Sequence, residues 1–488
     1  MGDRLERFRV GFLNWGREAF GVDLRTLACA RMAFATLILS DLAVRSTCLV
    51  AHYTDQGAFP LDVYHLTGVP FVISFHAMSG EAWFQAVLFF LNGLVAVALL
   101  VGWRTRLATA LCWLFMLSLH NRNYLLLNGG DAWMRLMLFW AIFIPWGERW
   151  SVDSHRVARR DDAVFSVATA GMVMQVFWVY IMAGLFKVGD AWWVEGSATQ
   201  LSLELAQWSG ERAHFALYYP ELLKFLTFAV LAYEIVGPFL LFSPVWYQPL
   251  RTLSVAGFVG FHVGLAVFIE IGLFPYVGMV SAFCLMPALF WKLGPLRRLE
   301  RALDRFWAAP REPGLPKSRP YKPSRLTTMA LVLVVLHAGV WNAASWNKEW
   351  SPPPVAQVPA YLLRLDQYWA LFAPEPPRSH YWFMAVATLS DGRTVDLLRG
   401  GGPVRWELPT TSEVYGNQRW KRLLVSCTYD FGASTRKPLV RYLFHYWSRR
   451  FPDIQSIQLL QLNRNTNLNF EDEPPFKRIL VRMRRDEL

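Results

Sequence analysis

Val179-Tyr180-Ile181-Met182-Ala183-Gly184-Leu185-Phe186-Lys187-Val188-Gly189-Asp190-Ala191-Trp192-Trp193-Val194-Glu195-Gly196 decides the class of this chain. Its first half closes an apolar run, 165–187, of about the length that crosses a bilayer. A lone lysine ends the run, followed by Trp-Trp, an acidic residue and glycine. An ionisable group at that depth is expensive and is a functional candidate by default. Desolvation disfavours an ammonium ion, and a neutral amine is a usable base. The competing reading is a lysine that snorkels to the interface, with the tryptophans as an aromatic belt.

The rest of the chain extends the membrane reading. Of 488 residues, 54% are hydrophobic and 18% charged, below the roughly 25% charge of soluble domains. The net charge of +12 does not point to nucleic acid, because the basic residues sit in loops between apolar runs rather than on one soluble face. Cys29, Cys48, Cys112, Cys284 and Cys427 are scattered singly, with no CxxC pair, and read as packing residues. No cleavable signal peptide is visible, and Leu5 to Trp15 reads as an interfacial amphipathic helix.

About nine runs are candidate spans: 24–46, 82–102, 106–121, 131–147, 165–187, 222–243, 250–271, 273–291 and 327–346. With the N-terminus placed inside, the cytoplasmic loops carry Arg4, Arg7, Arg9 and Arg17, then Arg104 and Arg106, then Arg149, Arg156, Arg159 and Arg160, then Arg251. The loop 292–326 adds Lys292, Arg297, Arg298, Arg301, Arg305, Arg311, Lys317, Arg319, Lys322 and Arg325. The short loops on the other side hold only Arg122 and Arg212. The positive-inside rule therefore predicts an odd number of spans, with the N-terminus cytoplasmic and the C-terminus extracytoplasmic.

Beyond Pro352-Pro353-Pro354, a stiff linker, the composition becomes that of a water-exposed domain. Tyr381–Leu389 and Thr394–Leu398 flank Ser390-Asp391-Gly392-Arg393 as a β-hairpin, and 457–462 and 478–483 read as further strands. The predicted fold is an all-α polytopic membrane bundle followed by a small extracytoplasmic β-containing domain. Its parts are an interfacial helix (1–23), eight spans (24–291), a basic loop (292–326), a ninth span (327–346) and the domain 353–488. The terminal Arg485-Asp486-Glu487-Leu488 is close to a retrieval signal, which carries weight only in a eukaryotic source.

Charged residues inside spans must pair, or face water or a ligand. Asp131 and Arg135 are four apart on one helical face and are expected to form an internal ion pair. Arg31 and Asp41 need partners elsewhere. Glu234 and His262 lie on the two spans that follow Lys187, so either could share a pocket with it.

Several strings together resemble one family. Ala183-Gly184…Lys187…Trp193-Val194-Glu195-Gly196 resembles a signature of vitamin K-dependent γ-glutamyl carboxylases and their bacterial relatives, the HTTM-domain proteins. Phe261-His262 followed by Ile271-Gly272-Leu273-Phe274, Asn121-Arg122-Asn123-Tyr124-Leu125, and Trp150-Ser151-Val152-Asp153 resemble other stretches of the carboxylases. Tyr53-Thr54-Asp55-Gln56-Gly57 and Asn128-Gly129-Gly130-Asp131 are similar to HTTM proteins of bacteria, as is Asp366–Pro374 of the C-terminal domain.

The resemblance implies a site and a chemistry. Lys187 would be the base and His262 an oxyanion stabiliser. Arg122 stands where the carboxylases place a supporting histidine; it could serve the same oxyanion or mark a lost activity. Glu234, Trp192 and Glu195 would line the substrate pocket. Lys187 would deprotonate reduced vitamin K or menaquinone. Reaction with O₂ would create a strong base that takes a γ-proton from glutamate, and the carbanion would capture CO₂. No metal is implied. The partners would be the lipid bilayer and a secreted protein substrate or client, with a bacterial inner membrane as the location. The alternatives are a non-catalytic scaffold or maturation factor working through 353–488, with Trp369, Phe372, Tyr381 and Trp382 as either binding patch or core, and a lipid or quinone transporter. Removing 353–488 is the experiment that separates scaffold from enzyme on this reading.

Overall fold

The computed structural model describes residues 2–67, 73–156, 162–307, 323–409, 415–465 and 475–488. Arg159, Arg160, Arg311, Lys317, Arg319 and Lys322, which enter the loop-charge argument, lie outside the described residues.

A segment that crosses lipid must satisfy its own backbone, which favours helix. All nine predicted runs are helical: Leu24–Ser46, Ala82–Val101, Thr105–Arg122, Gly129–Ala141, Val167–Leu185, Pro220–Val236, Tyr247–Phe268, Phe274–Phe283 and Arg325–Trp346. Six of them are long and apolar enough to cross a membrane among the described residues, Pro220 counting through a 3-10 turn to Phe242. Nine exceeds that number. Gly129–Ala141 has 13 residues and Phe274–Phe283 has 10, while Thr105–Arg122 carries Arg106, His120 and Arg122.

Local chemistry sets the helix starts. Asp23 accepts from the Arg25 and Thr26 amides, and Ser166 and Thr169 form a capping box. In Asn128-Gly129-Gly130-Asp131 the Asn128 side chain accepts from Gly130 N at 2.8 Å, and Asp131 Oδ2 accepts from Asn128 N at 2.8 Å. The N-terminal helix runs from Gly2 to Phe20. The helix Gly294–Phe306 meets the loop after Gly129–Ala141 through Arg149, whose guanidinium donates to Glu300 and Asp162, each at 2.6 Å. Two loops assigned to one side by charge therefore touch.

The C-terminal region builds a five-stranded antiparallel sheet in the order Gly402–Pro403, Thr394–Asp396, Ser379–Leu389, Ile454–Asn465, Phe476–Arg484. The hairpin and both later strands are as predicted, with Thr388 opposite Thr394 and Trp382 opposite Leu462. Pro354 opens a helix, Pro354–Leu363, where a linker was expected; a proline in the first turn loses no hydrogen bond. Two helices were not foreseen, Gln418–Ser426 and Arg436–Trp447.

This region is not a separate body. Buried Trp369 and Trp382 belong to one continuous hydrophobic core with Trp133 and Trp146 of the bundle. They are core rather than a binding patch. The seam also holds a buried charge network. Asp41 accepts from Arg45 at 2.7 Å and from Arg419 at 2.6 Å. Asp131 accepts from Arg45 at 2.7 Å and from Arg419 at 2.6 Å. The expected Asp131–Arg135 pair does not form. Two guanidiniums and the helix cap already occupy the Asp131 oxygens, so Arg135 donates to the Arg364 carbonyl at 2.9 Å and meets His120 Nδ1 at 3.2 Å.

Removing one partner from a buried ion pair costs about 3–5 kcal/mol, because the other charge stays buried without compensation. Arg419→Ala is expected to lower the thermal unfolding midpoint of the protein in lipid nanodiscs and to make the C-terminal region protease-sensitive. An unchanged midpoint would show that the network carries no stability.

Candidate functional site

Lys187 follows the C-terminal residue of helix Val167–Leu185 by two positions and is 3% exposed. Its Nζ donates to Glu234 Oε2 at 2.6 Å and to the Ala183 carbonyl at 3.2 Å. The same nitrogen lies 4.9 Å from the centre of the Trp192 ring. The glycine of the motif explains this meeting. A Cβ on Gly184 would sit 2.9 Å from the Ile235 side chain and 3.4 Å from Glu234 Cβ. Glycine lets the two helices approach closely enough for the lysine to reach the carboxylate.

The pair borders a cavity of about 380 Å³, walled largely by apolar and aromatic side chains such as Trp133, Phe261 and Phe274. His262 also lines it, with Nε2 at 3.0 Å from the Tyr180 hydroxyl. Tyr180 is fixed by stacking on Phe258, ring centres 3.6 Å apart. Gly278 leaves the space that the His262 ring fills. The C-terminal region closes one wall with Ala370, Leu371, Phe372, Gln418 and Arg422.

The motif loop after Lys187 is itself docked to that region. Trp192 Nε1 donates to the Phe372 carbonyl at 3.1 Å, Ala191 N donates to Glu375 Oε1 at 3.0 Å, and Arg378 Nη2 pairs with Glu195 at 3.1 Å.

The structure thus brings Lys187, Glu234, His262 and Trp192 to one cavity. It does not bring Arg122 or Glu195 there. Arg122 is buried and donates to the Phe59 and Tyr53 carbonyls at 2.9 and 3.1 Å, clamping the loop after the first long helix. Backbone carbonyls claim the guanidinium that the motif comparison assigned to an oxyanion. Glu195 serves as an anchor for Arg378. Sequence reasoning missed Tyr180, Trp133, Gln418 and Arg422. For Tyr180 a signal was present: Tyr180, Ala183 and Lys187 recur at helical spacing on one face.

The HTTM-domain family model matches residues 21–291. The chain belongs to the HTTM-domain family. No curated protein and no solved structure matches it. The matched HTTM domain contains Lys187, Glu234 and His262, whereas the wall from Ala370 to Arg422 lies outside it.

Asp41, His120 and Asp131 offer ligand atoms close enough together for a metal ion. Their chemistry argues against one. Arg45 and Arg419 already fill the carboxylate oxygens and balance both charges, so a cation there would meet two guanidiniums.

Lys421 lies beside the cavity wall and is buried, donating to the Gln207 carbonyl and, at 3.2 Å, to the Glu270 carbonyl. Burial pushes its amine down to about 7; Glu270 opposes that fall and Arg422 adds to it. An unfolded lysine titrates near 10.4, so between about 7 and 10.4 the unfolded chain binds a proton that the folded chain does not. Stability must rise with pH across that window, by at most about 1.4 kcal/mol per unit from this group. In Lys421→Met, denaturation between pH 7 and 10 is expected to show a flatter slope than in the wild type. Equal slopes would exclude the neutral buried amine.

Proposed function

We propose that this HTTM protein carboxylates glutamate side chains of proteins presented on the extracytoplasmic face, using a reduced quinone, with Lys187 as base. The observation that carries the reading is the Lys187–Glu234 pair set on the wall of an aromatic cavity. The proposal includes the membrane arrangement: nine crossings, N-terminus inside, C-terminal region outside, in a bacterial inner membrane. The cavity end that carries Lys187 is also the end covered by the C-terminal region, as that arrangement requires.

The cavity suits reduced vitamin K or menaquinone. Its aromatic walls match a flat ring. Two buried polar atoms on cavity residues, Trp133 Nε1 and His262 Nδ1, have no hydrogen-bond partner among the described residues. When bound, the reduced quinone with O₂ supplies a base strong enough to remove a glutamate γ-proton, after which CO₂ adds.

The chain's own residues hold and move the first proton. Lys187 Nζ and Glu234 Oε2 lie 2.6 Å apart, within reach of proton transfer, and the amine acts as base in the form whose proton rests on the carboxylate. The amine then accepts the proton of a bound hydroxyl, and the resulting ammonium faces the anion just formed. His262, held by Tyr180 at 3.0 Å, would steady an oxygen of the ring. Trp192 and Phe372 cover part of the cavity and limit access of water, which would quench a strong base. Arg122 has no part in these steps.

Purified protein in lipid, given reduced menaquinone or vitamin K and a glutamate-rich peptide, is expected to incorporate labelled CO₂. Lys187→Ala should reduce the label by roughly 10²–10⁴-fold in protein that still unfolds cooperatively, at a midpoint lowered because Glu234 loses its buried partner. No label from folded wild-type protein with either quinone would sink the proposal.

A further inference from the structure

The helix Gln418–Ser426 is anchored on both flanks. Asn417 caps it, accepting from the Arg419 and Trp420 amides at 2.9 and 3.1 Å. Arg419 enters the buried carboxylates, and Lys421 is held by two backbone carbonyls. Between those flanks run Gln418 and Arg422, four residues apart, and both line the cavity that contains Lys187.

These two side chains are not used up by the protein. Among the described residues, Gln418 has no side-chain hydrogen bond and no carboxylate pairs with Arg422. Arg422 spends only its Nε, on the Leu127 carbonyl at 3.0 Å. Its two terminal nitrogens remain for a ligand. The charge balance agrees. Lys187 is neutralised by Glu234, so Arg422 leaves the wall with one surplus positive charge in apolar surroundings. Arg422 is partly exposed, so its free nitrogens can be reached by a ligand that enters the cavity.

We infer that Gln418 and Arg422 form the subsite that binds the carboxylate of the substrate's glutamate side chain. The inference rests on the carboxylase reading for the identity of the substrate. The planar fork of arginine matches a carboxylate with two parallel hydrogen bonds, and the Gln418 amide adds a third donor. Arg419 and Lys421 hold the helix on either side of this stripe, so the pair is preorganised and little entropy is lost on binding. The subsite belongs to the C-terminal region, which is the side a protein chain would reach from water. A protein carboxylate is therefore favoured over the phosphate of a lipid. Gln418 and Arg422 are positioning residues: they hold the glutamate while the quinone side of the cavity supplies the base.

The test uses the full-length protein in nanodiscs and reads binding, not turnover. A fluorescent glutamate-rich peptide and its glutamine twin are titrated by anisotropy. The wild type is expected to prefer the glutamate peptide. Arg422→Gln should weaken that peptide by roughly ten- to a hundredfold and erase the preference. Arg422→Lys should recover part of it, and Gln418→Leu, which breaks no bond of the fold, should weaken it severalfold. Equal affinity for the two peptides in the wild type, or an unchanged preference in both Arg422→Gln and Gln418→Leu, would overturn the subsite. So would an Arg422→Gln effect seen only in phosphatidylglycerol binding. Peptide preference that survives in Lys187→Ala but not in Arg422→Gln would support it. If labelled CO₂ never appears while the preference holds, the carboxylase reading fails and the subsite stands.

Discussion

Four buried charges set the geometry on which the rest depends. Asp41 and Arg45 lie on the first long helix, Asp131 near the start of a short one, and Arg419 on a helix almost three hundred residues later. Such a network is a poor source of net stability, since the desolvation of four charges offsets much of their attraction. Its effect is selective. Each carboxylate receives two guanidiniums, and any slip of helix Gln418–Ser426 along the bundle would strand at least one charge. The network therefore fixes the register of that helix, and through it the placement of Gln418 and Arg422 on the cavity wall.

A second constraint works at shorter range. Gly184 lets helix Val167–Leu185 press against helix Pro220–Val236, and the contact delivers Lys187 to Glu234. The chain then leaves the helix and is caught at once by the C-terminal region through Ala191, Trp192 and Glu195. The motif thus does two jobs. Its first half places an amine in an apolar cavity. Its second half, where Glu195 reads from sequence as a pocket residue, ties down the lid of that cavity.

What was legible in the sequence depends on the range of the interactions. Apolar length and β alternation are local, so every predicted helix and the hairpin are present. Lys187, Glu234, His262 and Trp192 were legible because burial of an ionisable or aromatic residue beside a membrane run is itself a signal. Pairing between charges was not. A spacing of four made Asp131 and Arg135 look like partners, but tertiary contacts from Arg45 and Arg419 compete for the same oxygens and win by direct geometry. The place of Arg122 was hidden for a similar reason: the backbone carbonyls it binds, on a loop sixty residues earlier, had no trace in its own neighbourhood. The part played by Gln418 and Arg422 was invisible because Pro352-Pro353-Pro354 suggested a free-hanging domain beyond the last span. The core shared by Trp133, Trp369 and Trp382 shows that the domain is packed into the bundle instead.

That joint core changes how enzyme and scaffold can be told apart. From sequence, deleting 353–488 looks like a clean separation of a membrane site from a soluble module. In the folded protein the deletion would take Arg419 from Asp41 and Asp131, remove Phe372 from Trp192, and open the cavity to water. Uncovered carboxylates would destabilise the bundle, and water would quench any strong base formed inside it. A truncated chain would then be inactive under either reading. Only single side chains discriminate, because Lys187 and Glu234 can be changed while the lid, the charge network and the shared core stay in place.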